Sequence, residues 1–276
     1  MNLFNIIQEI EKVDPEIHER MSPRRDAIKN ITSFGSKVAV AALPFAFATM
    51  FKKAYGQASP VAVNDVLNFA LKLEYLESYF YNQGAAAAGL VPASDASYFA
   101  TIQNDESLHV KFLQSVLGAA AVPMPSFDLT AKGTFPTVLS DYNTYLAVAN
   151  AFEDTGVRAY KGQAPNLLGN QVVLTAALSI HAVEARHASA VRQIRASHGV
   201  MITPWITGSA SISNDLGVAA VDGNYAGENN VMQGGVNVTT LPSMSGSSTA
   251  YNIAVEAFDE PLDMVTVLGL VGPFFA

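Results

Sequence analysis

The sequence predicts an all-α protein built around an antiparallel four-helix bundle, and three observations lead to this prediction. Four segments carry apolar residues at helical spacing, and they cover residues 62–83, 95–118, 137–162 and 169–198. Stretches rich in glycine, proline and other loop residues separate these segments. Half of the chain is apolar and only 14% is charged, which suits tightly packed helices. Such helices would be about 30 to 45 Å long, the size of one compact bundle.

The composition also excludes several kinds of site and partner. The chain has no cysteine, so thiolate zinc sites, iron–sulfur clusters, rubredoxin-type centres, cysteine nucleophiles and disulfides are all excluded. Any metal must therefore be bound by histidine, carboxylate or backbone oxygen. The net charge of −8 argues against nucleic acid as a partner, because phosphate binding needs clustered lysine and arginine.

Residues 1–57 differ from the rest of the chain and resemble a twin-arginine export leader. Arg24 and Arg25, in "SPRRDAIKN", precede the apolar stretch "VAVAALPFAFATMF". This stretch is short for a membrane span, which takes roughly 20 apolar residues. Small residues near Gly56 offer a cleavage region. The leader predicts export to the periplasm or cell envelope by the export machinery. An ordinary amphipathic helix followed by a buried helix, or an uncleaved anchor, remain alternatives.

The first and third predicted helices carry the same polar residues. Aligning "LEYLESYFYNQ" with "FEDTGVRAYKGQ" places Glu74 on Glu153 and Tyr81 on Tyr160. The two tyrosines face the core side, and we expect them to be packing residues with a satisfied hydroxyl. The chain therefore looks like two copies of one helical hairpin.

The second and fourth predicted helices repeat a Glu-x-x-His pair. Aligning "DESLHVKF" with "VEARHASA" places Glu106 on Glu184 and His109 on His187. Residues three apart lie on one face of a helix, so each pair can converge on one point. Because one such pair arises often by chance, the repetition at matched distances carries the argument.

Four glutamates and two histidines would then meet in the core of the bundle. Burying carboxylates without counter-charge costs several kcal/mol per ion, and two divalent cations would balance the four charges. This is the ligand set of di-iron and di-manganese carboxylate bundles. The mixed oxygen and imidazole donors suit iron or manganese and argue against copper(I), although zinc could bind adventitiously. Solvated helix faces repeated by gene duplication are the alternative.

With these motifs the chain resembles the ferritin-like superfamily. It is most similar to exported bacterial ferritin-like domain proteins related to the plant desiccation-associated group, and more distantly to rubrerythrin. The resemblance covers about residues 61–198 and the tail "EAFDEPLDMVTVLGLVGPFF". It implies two iron ions, with manganese as an alternative, and no catalytic residue separate from the metal ligands. The implied ligands are Glu74, Glu106, His109, Glu153, Glu184 and His187, with Glu106 and Glu184 bridging.

Two further polar residues lie near this set. Glu77 shares a face with Glu74, and its position resembles the extra glutamate of rubrerythrin-like proteins, which exchanges with a histidine when the metals change oxidation state. A hydrogen bond to a ligand histidine is the other role we consider for Glu77. The repeat mate of His181 is Gln103, so we interpret His181 as a core residue or as a supporting neighbour of the ligands.

The chain after the bundle, residues 199–276, is predicted to be a loop-rich extension with one short helix. Its first part is rich in Gly, Ser, Asn and Thr, with a piece, "VNVTTL", that could form a strand pair. We expect this part to lie over one end of the bundle. Pro261 suits the first turn of a fifth helix over 261–271.

The resemblance implies that the protein oxidises ferrous iron, or consumes peroxide or dioxygen, at a dinuclear site. Without cysteine it lacks the rubredoxin module, so the reductant would be external or the iron itself. A non-enzymatic metal-binding or stress-protection role in the cell envelope is the alternative. Cage storage fits less well, and substrate oxygenation ranks last because no substrate domain is evident. A homodimer remains open.

Overall fold

The computed structural model describes residues 62–207, 218–242 and 249–276, so the predicted leader lies outside the described residues. Four long helices form two antiparallel hairpins, and the all-α prediction is confirmed. The helices are α1 (Val63–Ala86), α2 (Ala96–Leu117), α3 (Tyr142–Gln163) and α4 (Gln171–Ser197). Among the described residues, no helix combines the length and apolar character needed to cross a membrane.

The start of α3 differs from the prediction. The apolar spacing placed it at residue 137, whereas the helix begins at Tyr142. The carboxylate of Asp141 accepts a hydrogen bond from the Thr144 backbone N–H at 2.7 Å, which satisfies an otherwise unpaired donor of the first turn. The residues just before Asp141 form turns, so the predicted start at 137 is wrong.

Aromatic side chains hold the two hairpins together. The ring of Phe80 on α1 stacks on Tyr145 of α3, with centroids 4.6 Å apart, and meets Phe152 edge-on. Gly84 makes this close approach possible, because a Cβ at that position would collide with the Tyr145 ring. The small residue on α1 therefore sets how closely α1 and α3 pack.

Helix α3 is buried on every side between Tyr145 and Tyr160. Its outward face carries Asn150, Asp154 and Arg158 at four-residue spacing, and all three are buried. Arg192 of α4 donates to Asp154 at 2.7 Å, and Arg158 pairs with Glu228 of the extension, also at 2.7 Å. The described part of the extension thus packs along α3. The expectation that it lies over one end of the bundle is wrong, because Asp154 and Arg158 attract polar groups to the flank of α3.

The extension contains more structure than the sequence predicted. Strands β1 (Met232–Gln233) and β2 (Val236–Asn237) form an antiparallel hairpin, but the rest of "VNVTTL" turns into a 3-10 helix. Helix α5 (Ala250–Glu256) was not predicted. Helix α6 (Met264–Val271) begins at Met264, because Asp263 caps it by accepting from the Thr266 N–H at 2.8 Å. The predicted helix start at Pro261 is therefore wrong. The 3-10 helices are Gly118–Ala120, Ala164–Leu167, Ala219–Tyr225, Val238–Thr240 and Gly272–Phe274.

Two contacts fasten the C-terminal segment to the bundle. The Leu262 N–H donates to the carbonyl of Arg158 in α3 at 3.1 Å, and Gly162 leaves room for this segment. Farther on, Phe275 pairs with Phe127 of the long α2–α3 connection as an isolated β-bridge. The C-terminal segment is thereby bound to α3 and to the α2–α3 connection.

Candidate metal centre

Each of the four long helices contributes a glutamate to the middle of the bundle. The four side chains are completely buried, and two histidines from α2 and α4 lie beside them, with 11% and 6% of their side-chain surfaces exposed. The six residues are Glu74 on α1, Glu106 and His109 on α2, Glu153 on α3, and Glu184 and His187 on α4. The structure therefore brings together all six residues that the repeated motifs predicted to converge.

The six side chains form two overlapping groups of four. In each group, one ligand-type atom from every residue lies within 4.8 Å of the others. The first group contains Glu74, Glu106, His109 and Glu184, and the second contains Glu106, Glu153, Glu184 and His187. Glu106 and Glu184 belong to both groups, so each of them could serve either group as a ligand.

The contacts around His187 are short, but they do not have the geometry of hydrogen bonds. Nδ1 of His187 lies 2.9 Å from Oε1 of Glu106 and 3.3 Å from Oε2 of Glu153. These three atoms are buried without a hydrogen-bond partner, as are both carboxylate oxygens of Glu184. Orphaned buried polar atoms are costly, and here they belong to residues of the two groups of four. The donor set therefore fits metal ions.

One family model matches the helical bundle. The model described as "Ferritin-like domain" matches residues 62–197, the span of the four long helices. Residues 62–197 form a ferritin-like domain. No curated protein matches the chain. The match agrees with the all-helical fold, and the buried carboxylate and histidine cluster is compatible with metal binding by this domain.

Without metal, burial keeps protons on several carboxyl groups of the ferritin-like domain. Burial, reinforced by the negative charge of Glu74, raises the pKa of Glu106 to about 8. Burial and neighbouring carboxylates also raise the pKa of Glu184 well above its ordinary value. For Glu74, burial acts in the same direction, but the hydrogen bond and charge of His109 outweigh it and lower the pKa.

The two histidines act as counter-charges in the metal-free domain. Burial alone would lower the pKa of His109, but its hydrogen bonds to Glu106 and Glu74 raise it to about 10. Against the same burial effect, the charge of Glu153 and the 2.9 Å contact with the Glu106 carboxylate raise the pKa of His187 to about 11. A metal must displace these protons, because a histidine nitrogen binds metal only when deprotonated.

Two tyrosines hold the outer glutamates in a crossed arrangement. The Tyr81 hydroxyl of α1 donates to Oε1 of Glu153 on α3, and the Tyr160 hydroxyl of α3 donates to Oε1 of Glu74 on α1. Each tyrosine leaves Oε2 of its glutamate to face the cluster. The hydroxyls are satisfied, as expected, but they also orient two candidate ligands, which the sequence reasoning missed.

His187 has a partner outside the cluster that the sequence analysis did not single out. Its Nε2 lies 3.1 Å from Oδ2 of Asp105, while Nδ1 faces the glutamates. A carboxylate on the outer nitrogen fixes the ring orientation and the tautomer that presents Nδ1. The sequence feature that could have indicated this contact is the acidic residue directly before Glu106. The repeat mate of Asp105 is Val183, so His109 has no equivalent partner from that position.

Glu77 lies beside the cluster but outside both groups of four. It is 4% exposed, and burial together with the charges of Glu106 and Glu74 raises its pKa well above the ordinary value. A Cβ at Gly156 would lie 2.7 Å from Oε2 of Glu184 and 3.3 Å from Oε1 of Glu77. Gly156 is the repeat mate of Glu77, and because it is glycine it leaves the space that both carboxylates occupy.

The other described histidines lie outside the cluster. His181 contacts the Val157 carbonyl through Nδ1 at 3.0 Å, which fits its interpretation as a core residue. His198, at the end of α4, contacts Asp95 at 2.7 Å.

Proposed function

We propose that the ferritin-like domain binds two iron ions, with manganese as the alternative metal, and oxidises ferrous iron with dioxygen or peroxide. The observation that carries the proposal is the pair of overlapping groups that share Glu106 and Glu184. A shared carboxylate on each side suits two adjacent cations better than one. Ferrous iron bound in this cluster would supply one electron per ion to dioxygen or peroxide.

The charge and donor types support iron or manganese. Two divalent cations offset the four buried glutamates once both histidines have lost their protons, so the loaded core is neutral. Each group offers three carboxylates and one imidazole, a hard oxygen-rich set that suits iron and manganese and disfavours copper(I).

The chain's own residues have three roles in this proposal. Tyr81 and Tyr160 orient the outer glutamates, and Asp105 accepts a hydrogen bond from Nε2 of neutral His187. Complete burial of Glu106 and Glu184 keeps bulk water away from the shared position. The glutamates and tyrosines therefore provide a fixed, dry set of oxygen donors.

The alternative function is non-enzymatic metal binding or stress protection in the cell envelope. The burial of the candidate ligands favours this alternative, because a metal ion held by nearly buried side chains would exchange slowly with solvent. The absence of cysteine is compatible with both functions, although the redox function then needs an external reductant or ferrous iron itself as the reductant.

One experiment separates the two functions. The protein is loaded with ferrous iron without oxygen, and dioxygen or peroxide is then added in separate runs. Rapid ferric absorbance with matching consumption of the oxidant supports the redox function. Two bound metals without reaction support the binding role. The double variant Glu106→Ala with Glu184→Ala reports the background oxidation of free iron.

We also propose that the protein is exported through a twin-arginine signal. The support is the sequence pattern around Arg24 and Arg25, followed by the apolar stretch. Arg24→Lys combined with Arg25→Lys should keep the protein inside the cytoplasm in cell fractionation. Unchanged export of that variant would contradict the proposal.

A further inference from the structure

An apolar pocket of about 100 Å³ lies inside the bundle next to the metal cluster. It is enclosed by α1, α2, α4 and the last turns of α3. Its inner wall consists of buried side chains, including Leu73, Leu113 and Ile180. Small residues on opposite helices, Ala70 and Ala177, leave the space unfilled.

The pocket starts one helical turn from the candidate ligands. Ile180 lies four residues before Glu184 on α4, and Leu113 lies four residues after His109 on α2. Tyr160 also lines the pocket, and its hydroxyl donates to Glu74. A molecule in the pocket would therefore contact a residue that orients a cluster carboxylate.

The lining has almost no polar character. Only Tyr160 and Gln163 carry polar side-chain atoms, and each already has a partner: Tyr160 bonds Glu74, and Oε1 of Gln163 accepts from Asn166 at 2.9 Å. Ordered water needs two to four polar partners, so it gains little here. In another protein an engineered apolar cavity of about 150 Å³ stays dry and binds benzene.

The pocket opens between α2 and α4. The lining residues that reach solvent lie on these two helices: Phe112 is 40% exposed, Val116 44% and Val172 82%. Concave apolar sites with an exposed apolar rim are typical of small-molecule binding sites. The depth favours a small molecule over a second protein surface, because the inner wall reaches the core beside Tyr160.

We propose that this pocket binds a small apolar molecule of about the size of benzene, or the apolar end of a longer one, beside the metal centre. The occupant enters between α2 and α4 and is held by contact with aliphatic and aromatic side chains. A polar head group would remain at the mouth, because the inner lining is apolar apart from Tyr160 and Gln163. The proposal does not depend on which metal the cluster binds.

The test uses fluorobenzene as the probe and the full chain, once as purified and once after iron loading. Binding is followed by ¹⁹F NMR titration and by the concentration dependence of the thermal midpoint. Ala177→Phe places a ring in the pocket, whereas Ala182→Phe places the same ring on an exposed position of the same helix. Bound metal per chain and helical circular dichroism confirm that both variants are folded.

We expect saturable one-to-one binding to the native chain and to Ala182→Phe, and at least about tenfold weaker binding to Ala177→Phe. Absence of saturable binding to the native chain would overturn the proposal. Equal binding to both variants would also overturn it, since the probe would then lie elsewhere. A native dimer that Ala177→Phe dissociates, without probe binding, would overturn it in favour of a protein interface at this rim.

Discussion

Glu106 and Glu184 differ from Glu74 and Glu153 because each of them belongs to both groups of four. Replacing an outer glutamate should therefore affect one metal position, and replacing the shared pair should affect both. We expect Glu74→Ala and Glu153→Ala each to retain about one metal per chain, and Glu106→Ala with Glu184→Ala to retain none.

Elemental analysis after anaerobic ferrous loading and gel filtration measures this difference. Glu256→Ala, at an exposed position of α5, is the control and should bind as much metal as the native chain. Because the shared pair carries protons without metal, its removal should leave the helices folded. Two metals per chain in the double variant would contradict the assignment.

The crossed tyrosines predict a second effect at single residues. Tyr81→Phe and Tyr160→Phe each remove one hydrogen bond to an outer glutamate without opening a cavity. We expect metal affinity to fall about 10-fold to 100-fold, as for other supporting partners of metal ligands. Competition with a chelator measures the affinity, and Tyr145→Phe, a stacked core tyrosine, is the matched control. Affinities equal to that of Tyr145→Phe would show that the hydroxyls do not position the ligands.

The sequence predicted which residues meet in the core where a motif occurs in both hairpins. It did not predict contacts that occur only once in the structure. Glu106 with His109 could be matched to Glu184 with His187, so helical spacing alone placed them on one face. The hydrogen bonds from Tyr81 to Glu153 and from His187 to Asp105 cross between helices. Their existence depends on the register of the packed hairpins, which no local pattern contains.

Among the helices, α3 packs against two different parts of the protein, since Glu153 faces the cluster while Asp154 and Arg158 face the extension. A glycine of α3 lies close to each of these parts. A Cβ at Gly156 would press on the carboxylates of Glu184 and Glu77, whereas a Cβ at Gly162 would collide with the Leu262 backbone. The two positions therefore serve different faces of one helix.

We expect Gly156→Ala to weaken metal binding by displacing Glu184, while thermal stability changes little. Gly162→Ala should lower the thermal midpoint by several degrees, because the C-terminal segment must move away from α3, and metal binding should persist. Chelator competition and thermal melts on both variants separate the effects. The opposite pattern, with metal loss in Gly162→Ala alone, would contradict this division of α3.

The helix ends and the extension were the least predictable elements. Asp141 and Asp263 cap the first turns of α3 and α6. Both helices therefore begin later in the chain than the sequence predicted. The extension was expected at one end because so long a loop is usually either functional or a covering segment. Arg158, buried and bonded to Glu228, shows why it packs along α3. That contact joins residues far apart in sequence.

In the whole molecule, the metal-free core binds protons more tightly than the unfolded chain does. The pKa of Glu106 rises from 4.5 to about 8, and those of His109 and His187 rise from 6.5 to about 10 and about 11. A raised pKa in the folded state gives stability at low pH that is lost as pH rises through the folded value. Outside the cluster, Glu228 shifts in the same direction, to about 8.

We therefore expect the thermal midpoint of the metal-free protein to fall steadily as pH rises from about 5 to about 9. Metal loading should remove most of this decline, because metal replaces the protons and binds more tightly at higher pH. Thermal melts across this range, with chelator and with ferrous iron, measure both curves. A metal-free midpoint that rises with pH would contradict the account.

The central claim is that two metal ions share Glu106 and Glu184. Anomalous X-ray diffraction at the iron edge, on crystals of the loaded full chain, tests it most directly. The account predicts two peaks between the four glutamates, one next to His109 and the other next to His187, both in contact with Glu106 and Glu184. A single peak in the cluster, or peaks only outside it, would contradict the account.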